Sequence, residues 1–209
     1  MRKCSRDWDN TTVNFQRYSE LMTRLRKEFC LGVYNLNYDT VALSALNGAF
    51  TGFDASGQFA PDDMANQMEW DFVYHLHGSV HQTLVGPFGE KLRWVDDLNA
   101  EFDDGHIGLS LDWRSDDRPF VRTTLVAGGF KLDQLLVEPY SSFHAALVRD
   151  VYSADAILIG GYGFGDEHVN RALQNAFVER DARRPALVVN WSPDDQDLTS
   201  SRATHGLDS

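Results

Sequence analysis

Three of the chain's seven histidines fall within seven positions, in His75-Leu76-His77-Gly78-Ser79 and, just beyond, His81. Imidazole titrates near neutral pH, so this segment has the residue type for general acid/base work. His75 and His77, two apart on one strand face, also form a two-ligand seed for a metal. A metal-dependent hydrolase drawing on His75, His77, His81, Asp166 and His168 is therefore one reading, although the spacing matches no complete ligand set. For His75 alone, a half-buried strand histidine bonded to backbone is the plainer one. Asn35-Leu36-Asn37-Tyr38-Asp39 is a second polar cluster; Asn and Asp there either orient a ligand or simply build a turn. The third runs from Ile157 through Gly160, Gly161, Tyr162, Gly163, Phe164 and Gly165 to Asp166. Such a turn lets a ligand approach the backbone, and the helix that follows offers free N–H groups to an anion. Asp166 is placed to cap that helix by accepting from Asn170 or its neighbours. The same turn also serves as a tight connection with no ligand. Asn190, closing Leu187-Val188-Val189, means little by itself.

Each cluster is predicted at the end of a strand. Phe15, Tyr18, Leu21, Met22 and Leu25 have helical spacing within 14–28. Residues 33–37 read as a short buried strand, 40–49 as a helix and 52–63 as a loop. Alternation over 70–77 predicts a strand ended by Gly78-Ser79. The stretch from Val80 to Leu125 shows no sustained period and reads as an irregular insertion or small lobe. A helix is expected over 139–151, a strand over 154–159, and a helix with the stripe Val169, Ala172, Leu173, Ala176 and Phe177. Residues 185–190 read as another buried strand and 192–209 as a polar tail. Strands alternating with helices argue an α/β fold, a doubly wound, mainly parallel Rossmann-like sheet whose ligands sit at the carboxyl ends of the strands.

Composition narrows the function classes. A formal net charge of −12 repels phosphate backbones, so nucleic acid is a poor partner, while backbone N–H groups remain able to hold a small anion. Only Cys4 and Cys30 are present, too few for a disulfide framework or a four-cysteine zinc ribbon. Cys30, inside Phe29-Cys30-Leu31-Gly32-Val33, reads as a buried thiol. The N-terminus has no apolar signal region and no run approaches a bilayer-spanning length, so a cytoplasmic protein is expected.

Taken together, the clusters resemble the Sir2 family, most closely its prokaryotic Sir2-like branch associated with anti-phage defence. Asn35 to Asp39 is similar to the family's Thr-x-Asn-x-Asp segment, with Asn35 in place of threonine. Leu76-His77-Gly78-Ser79 matches its Leu-His-Gly-Ser segment unchanged. Gly161 to Asn170 resembles the branch's Gly-Tyr-Ser-Phe-x-Asp-x-His-x-Asn segment, with Gly163 replacing serine, and Val189-Asn190 looks like the family's late strand end. The resemblance implies NAD as substrate, Asn37 and His77 as the catalytic pair, and Asp39 on the nicotinamide ribose. It also implies that Gly161, Tyr162, Gly163, Phe164, Asp166 and Asn190 bind the rest of the dinucleotide. Residues 80–156 hold no cysteine, which departs from the zinc module of the deacylase members and favours NAD hydrolysis, or another non-deacylase role, without zinc. A degenerate NAD-binding or assembly module is the alternative. The family's opening strand and Gly-Ala-Gly-x-Ser loop have no counterpart before Gly32. A Sir2-like domain over 1–191, lacking its first strand, is therefore expected, one that alone binds NAD weakly and hydrolyses it slowly or not at all. A homo-oligomer or a sensor partner fits that picture, and no membrane partner does.

Overall fold

Thr12 accepts the Phe15 N–H with its hydroxyl and so opens helix α1 (Val13–Glu28). The computed structural model describes residues 11–67, 70–86, 91–99, 124–126, 134–178 and 184–190, and the backbone of 109–113 and 119–123. Met22 is the buried residue of α1; it packs with Ala42, Leu46 and Val73, with Tyr18 and Leu25 beside it. Leu21, adjacent in sequence and therefore turned about a quarter of the way round the helix, is exposed instead of lying on the apolar stripe. The helix gives way to extended backbone at Phe29, and this surface connection leaves the Cys30 thiol exposed, not buried as its apolar neighbours suggest.

Strand β1 (Leu31–Asn35) pairs in parallel with β2 (Asp71–His75), in register from Leu31 opposite Asp71 to Asn35 opposite His75. Both strands stop earlier than their sequence patterns indicate. In β1 the cause is local: the Asn35 side-chain oxygen accepts the Asn37 N–H at 2.9 Å and bends the chain out of the strand. In β2 the residues Phe72, Val73, Tyr74 and His75 are all buried, so both faces of the strand are covered. Tyr74 is stacked against Phe72 (centroids 4.1 Å apart) and Phe143 (4.9 Å), the centre of an aromatic core that includes Phe53 and Phe59. Arg26 of α1 fastens the start of β2, reaching the Asp71 carboxylate at 2.5 Å and the Asn47 carbonyl at 3.0 Å.

The chain from β1 to β2 carries two short helices, α2 (Val41–Ala45) and α3 (Pro61–Ala65). The first is shorter than predicted because Leu46 already leaves helical backbone; the second lies where a loop was expected. Residues 80–125 are also more regular than their sequence suggests. Strands β3 (Gln82–Val85) and β4 (Lys91–Trp94) form one antiparallel pair, and β5 (Leu109–Trp113) and β6 (Pro119–Thr123) another. In β3 the consecutive residues Gln82, Thr83 and Leu84 are all buried, so no alternation marks it.

The chain divides into two compact units, Met1–His144 and Ala145–Ser209, with the boundary inside helix α4 (Tyr140–Ser153). The second unit holds β7 (Ile157–Gly160), α5 (Glu167–Val178) and β8 (Ala186–Val189), with β7 and β8 parallel from Ile157 opposite Ala186 to Gly160 opposite Val189. The predicted stripe of α5 holds: Val169, Ala172, Leu173 and Ala176 are buried. The last strand forms where expected, but Leu187, Val188 and Val189 are exposed, since among the described residues β8 pairs only with β7. The architecture is α/β, with parallel strand pairs alternating with helices, consistent with a Rossmann-like fold. No helix among the described residues is long and apolar enough to cross a membrane. The polar segment 192–209 lies outside the described residues.

Candidate functional site

The first unit places two turns side by side at the carboxyl ends of β1 and β2, where a parallel sheet offers its ligand crevice. One is Asn35 to Asp39, the other His75 to Ser79. Backbone bonds tie them: Leu76 N–H donates to the Asn35 carbonyl at 3.0 Å and Val80 N–H to the Tyr38 carbonyl at 2.9 Å. The Asp39 carboxylate accepts the Val41 N–H at 3.0 Å, which fixes it at the start of α2. This brings Asn37 and Asp39 onto the turn beside that of His77. Asn37 is exposed and His77 half-buried, as groups that meet a ligand must be.

The three clustered histidines turn out to do different things. His75 is 1% exposed; its Nε2 lies 3.4 Å from the Asp39 carbonyl, and as a carbonyl only accepts, the proton sits on Nε2. Burial pushes its pKa down to about 4, against the Asp39 hydrogen bond and with help from nearby His81, so it is neutral at pH 7. It is the backbone-bonded strand histidine its position suggested, and more deeply buried than that. His81 turns toward the β3–β4 pair: Nδ1 donates to the Val95 carbonyl at 2.7 Å and the ring stacks on Trp94 at 4.7 Å. Of the three, only His77 lies between the end of β2 and Gly78. Among the described residues no three His, Cys, Asp or Glu side chains gather closely enough to hold a metal ion.

Gly78 has φ +94°, and a Cβ there would lie 2.1 Å from the Thr124 carbonyl oxygen, so no other residue fits. The chain that crowds it, 124–126, comes from the end of the supposed insertion. Val126 N–H donates to the His77 carbonyl at 2.7 Å, and the Tyr38 hydroxyl lies 3.3 Å from the Val126 carbonyl. Tyr38, Thr124 and Val126 were not recognised from sequence; Tyr38 at least lies inside a motif, whereas the other two act through main-chain groups that leave no side-chain signal.

In the second unit the glycine turn is braced from within. Tyr162 donates to the Asn170 side-chain oxygen at 2.8 Å, and the Asn170 amide donates to the Phe164 carbonyl at 2.9 Å, holding Phe164 at φ +52°. Burial, the larger cause, and the Asp166 charge push the Tyr162 hydroxyl up to about 12, so it stays protonated. Asp166 caps α5, its carboxylate accepting from His168 at 3.0 Å and Val169 at 3.4 Å. The Asn170 N–H goes instead to the Asp166 backbone carbonyl. Gly161, at φ +61°, needs glycine for its backbone. For Gly160, Gly163 and Gly165 nothing lies within 4 Å of where a Cβ would be, and the conformation does not demand glycine. Their lack of side chains leaves the backbone open to a ligand at the start of a helix, which fits a pyrophosphate. Asn190 is exposed just after β8, whose Val189 carbonyl accepts the Gly161 N–H at 2.8 Å.

A separate cavity of about 1160 Å³ in the first unit opens between residues 40–57 and 93–99, with His81 in its wall; neither Asn37 nor His77 lines it. No curated protein matches the sequence at a significant level. A protein-family model described as SIR2-like domain matches residues 32–208.

Proposed function

The chain belongs to the SIR2-like domain family, whose members generally consume NAD, and on that premise we propose that it is an NAD glycohydrolase. The reaction cleaves the nicotinamide–ribose bond to give nicotinamide and ADP-ribose. The observation that carries the reading is the pairing of the Asn37 and His77 turns at the carboxyl ends of two parallel strands. Breaking that bond passes through an oxocarbenium-like transition state, as glycoside cleavage does. Nicotinamide leaves from a cationic pyridinium, so no strong acid has to protonate it. His77 polarises a ribose hydroxyl or the attacking water, Asn37 orients that group, and Asp39 holds the nicotinamide ribose. Gly161, Tyr162, Gly163, Phe164 and Asp166 bind the pyrophosphate, and Asn190 the adenine ribose. The domain spans 1–191, and the Gly161 to Asn170 segment favours the anti-phage-defence branch.

Gly163, standing where serine is usual in that branch, favours a second reading: a degenerate module that binds NAD without cleaving it. Incubating the protein with NAD and following nicotinamide separates the two. Release supports hydrolysis; tight binding with no release supports the module.

A further inference from the structure

The hydroxyl of Tyr140, at the start of α4, is buried in the first unit and has no part in the chemistry above. It lies 2.8 Å from the Gln82 side-chain oxygen and 3.0 Å from the Thr124 carbonyl. One proton cannot serve two acceptors fully; with the Gln82 amide rotated, its NH₂ donates to Tyr140 and the tyrosine proton goes to Thr124. Burial pushes the Tyr140 pKa above its ordinary value, so the proton stays in place. The Thr124 carbonyl is the one pressed against Gly78, Leu125 bridges to Gly78, and Val126 N–H holds the His77 carbonyl. At the far end of the same three residues stands the Tyr38 hydroxyl, next to Asn37. Residues 124–126 thus form a strap over the His77 turn, pinned by one tyrosine at each end.

We infer that Tyr140 is a positioning residue: by holding Thr124 it sets the strap, and through the strap the backbone at His77 and Gly78. The inference rests on the assignment of His77 to catalysis, but its structural half stands apart from that assignment. Tyr140 touches no reacting group, so it acts on the transition-state geometry and not on the affinity for NAD.

The test uses the full 209-residue chain. Tyr140→Phe keeps the ring and deletes the hydroxyl; hydrogen exchange of the Val126 amide is expected to accelerate about tenfold, in line with an unpaired buried acceptor. The His77 imidazole resonances should shift, and kcat for nicotinamide release should fall about tenfold with KM for NAD within twofold. Tyr38→Phe, at the strap's other end, should act in the same direction more weakly, and replaces Tyr140→Phe if that variant does not fold. Unchanged Val126 exchange overturns the inference whether or not the protein cleaves NAD. Faster exchange with unaltered kcat overturns it too. Should the wild type release no nicotinamide, the hydrolase reading falls, and the strap is judged on exchange and the His77 resonances alone: changes in both support it, and none overturns it.

Discussion

The His77 turn and the glycine turn are both short, glycine-containing and placed at strand ends, yet they are held in opposite ways. The first is enclosed: its backbone is bonded to two other segments, 35–38 and 124–126, Gly78 is pressed against a carbonyl, and His75 beneath it is buried. The second is braced mainly by Tyr162, Asp166 and Asn170, with one backbone bond from Gly161 to Val189, and a Cβ at any of its four glycines would meet nothing within 4 Å. The contrast separates two demands. A group that handles a proton must be fixed to within a few tenths of an ångström. A turn that receives phosphates must keep its N–H groups uncovered while holding its shape.

Substitutions can break or sharpen this contrast. The largest effect is expected at the chemistry: Asn37→Ala or His77→Ala should lower nicotinamide release by at least about a hundredfold. Circular dichroism should show an unchanged fold, because neither residue lies in the core. Turnover within about threefold of wild type would sink their assignment.

Next come the glycines. Gly78→Ala meets a backbone oxygen and a left-handed φ together and should cost about 3 kcal/mol or more by denaturant titration. Gly163→Ala meets nothing and should shift stability by less than about 0.5 kcal/mol. Its methyl group should nonetheless weaken NAD binding about tenfold by calorimetry, if the proposed pyrophosphate site at this turn is right. Equal stability losses at the two positions would dissolve the distinction between an enclosed and an open turn.

His75 supplies a comparable effect that depends on pH. Its folded pKa of about 4 lies below the ordinary value of 6.5, so on acidification the unfolded chain takes up a proton that the native one refuses. Stability from this group is therefore complete above pH 6.5 and is lost as pH falls toward 4, by about 3 kcal/mol. His75→Gln should flatten that slope; identical pH profiles of unfolding would contradict the assignment. The smallest change is expected for Asn170→Ala, which frees Phe164 and should cost about 1 kcal/mol while loosening the glycine turn.

What could be read from the sequence follows the range of the interactions. The α5 stripe and the glycine turn depend on neighbours within a few residues, and both were legible. Strand β1 was displaced by two positions because an Asn35 turn competed with its apolar pattern. Strand β3 was hidden by burying Gln82 and Thr83 beside Leu84; Gln82 meets its partner in Tyr140, 58 positions away. Cys30 was misjudged because apolar neighbours do not reveal that a helix-to-strand connection runs along the surface. His77 and Asn37 are singled out by motif, whereas the segment that surrounds them is not, since its contacts are made by main-chain carbonyls and N–H groups that any residue carries.

That distance in sequence also fixes an order of events during synthesis. The Tyr38 hydroxyl and the Val126 carbonyl are 88 positions apart, and Tyr140 lies 58 beyond Gln82. Contacts that close such long loops form late, and the ribosome releases the chain from its N-terminus at about 5–20 residues per second. Both motifs therefore leave the ribosome several seconds before the residues that lock them. A nascent chain ending short of Val126 has its histidine and asparagine without their frame, so competence arrives only once the first unit is nearly whole.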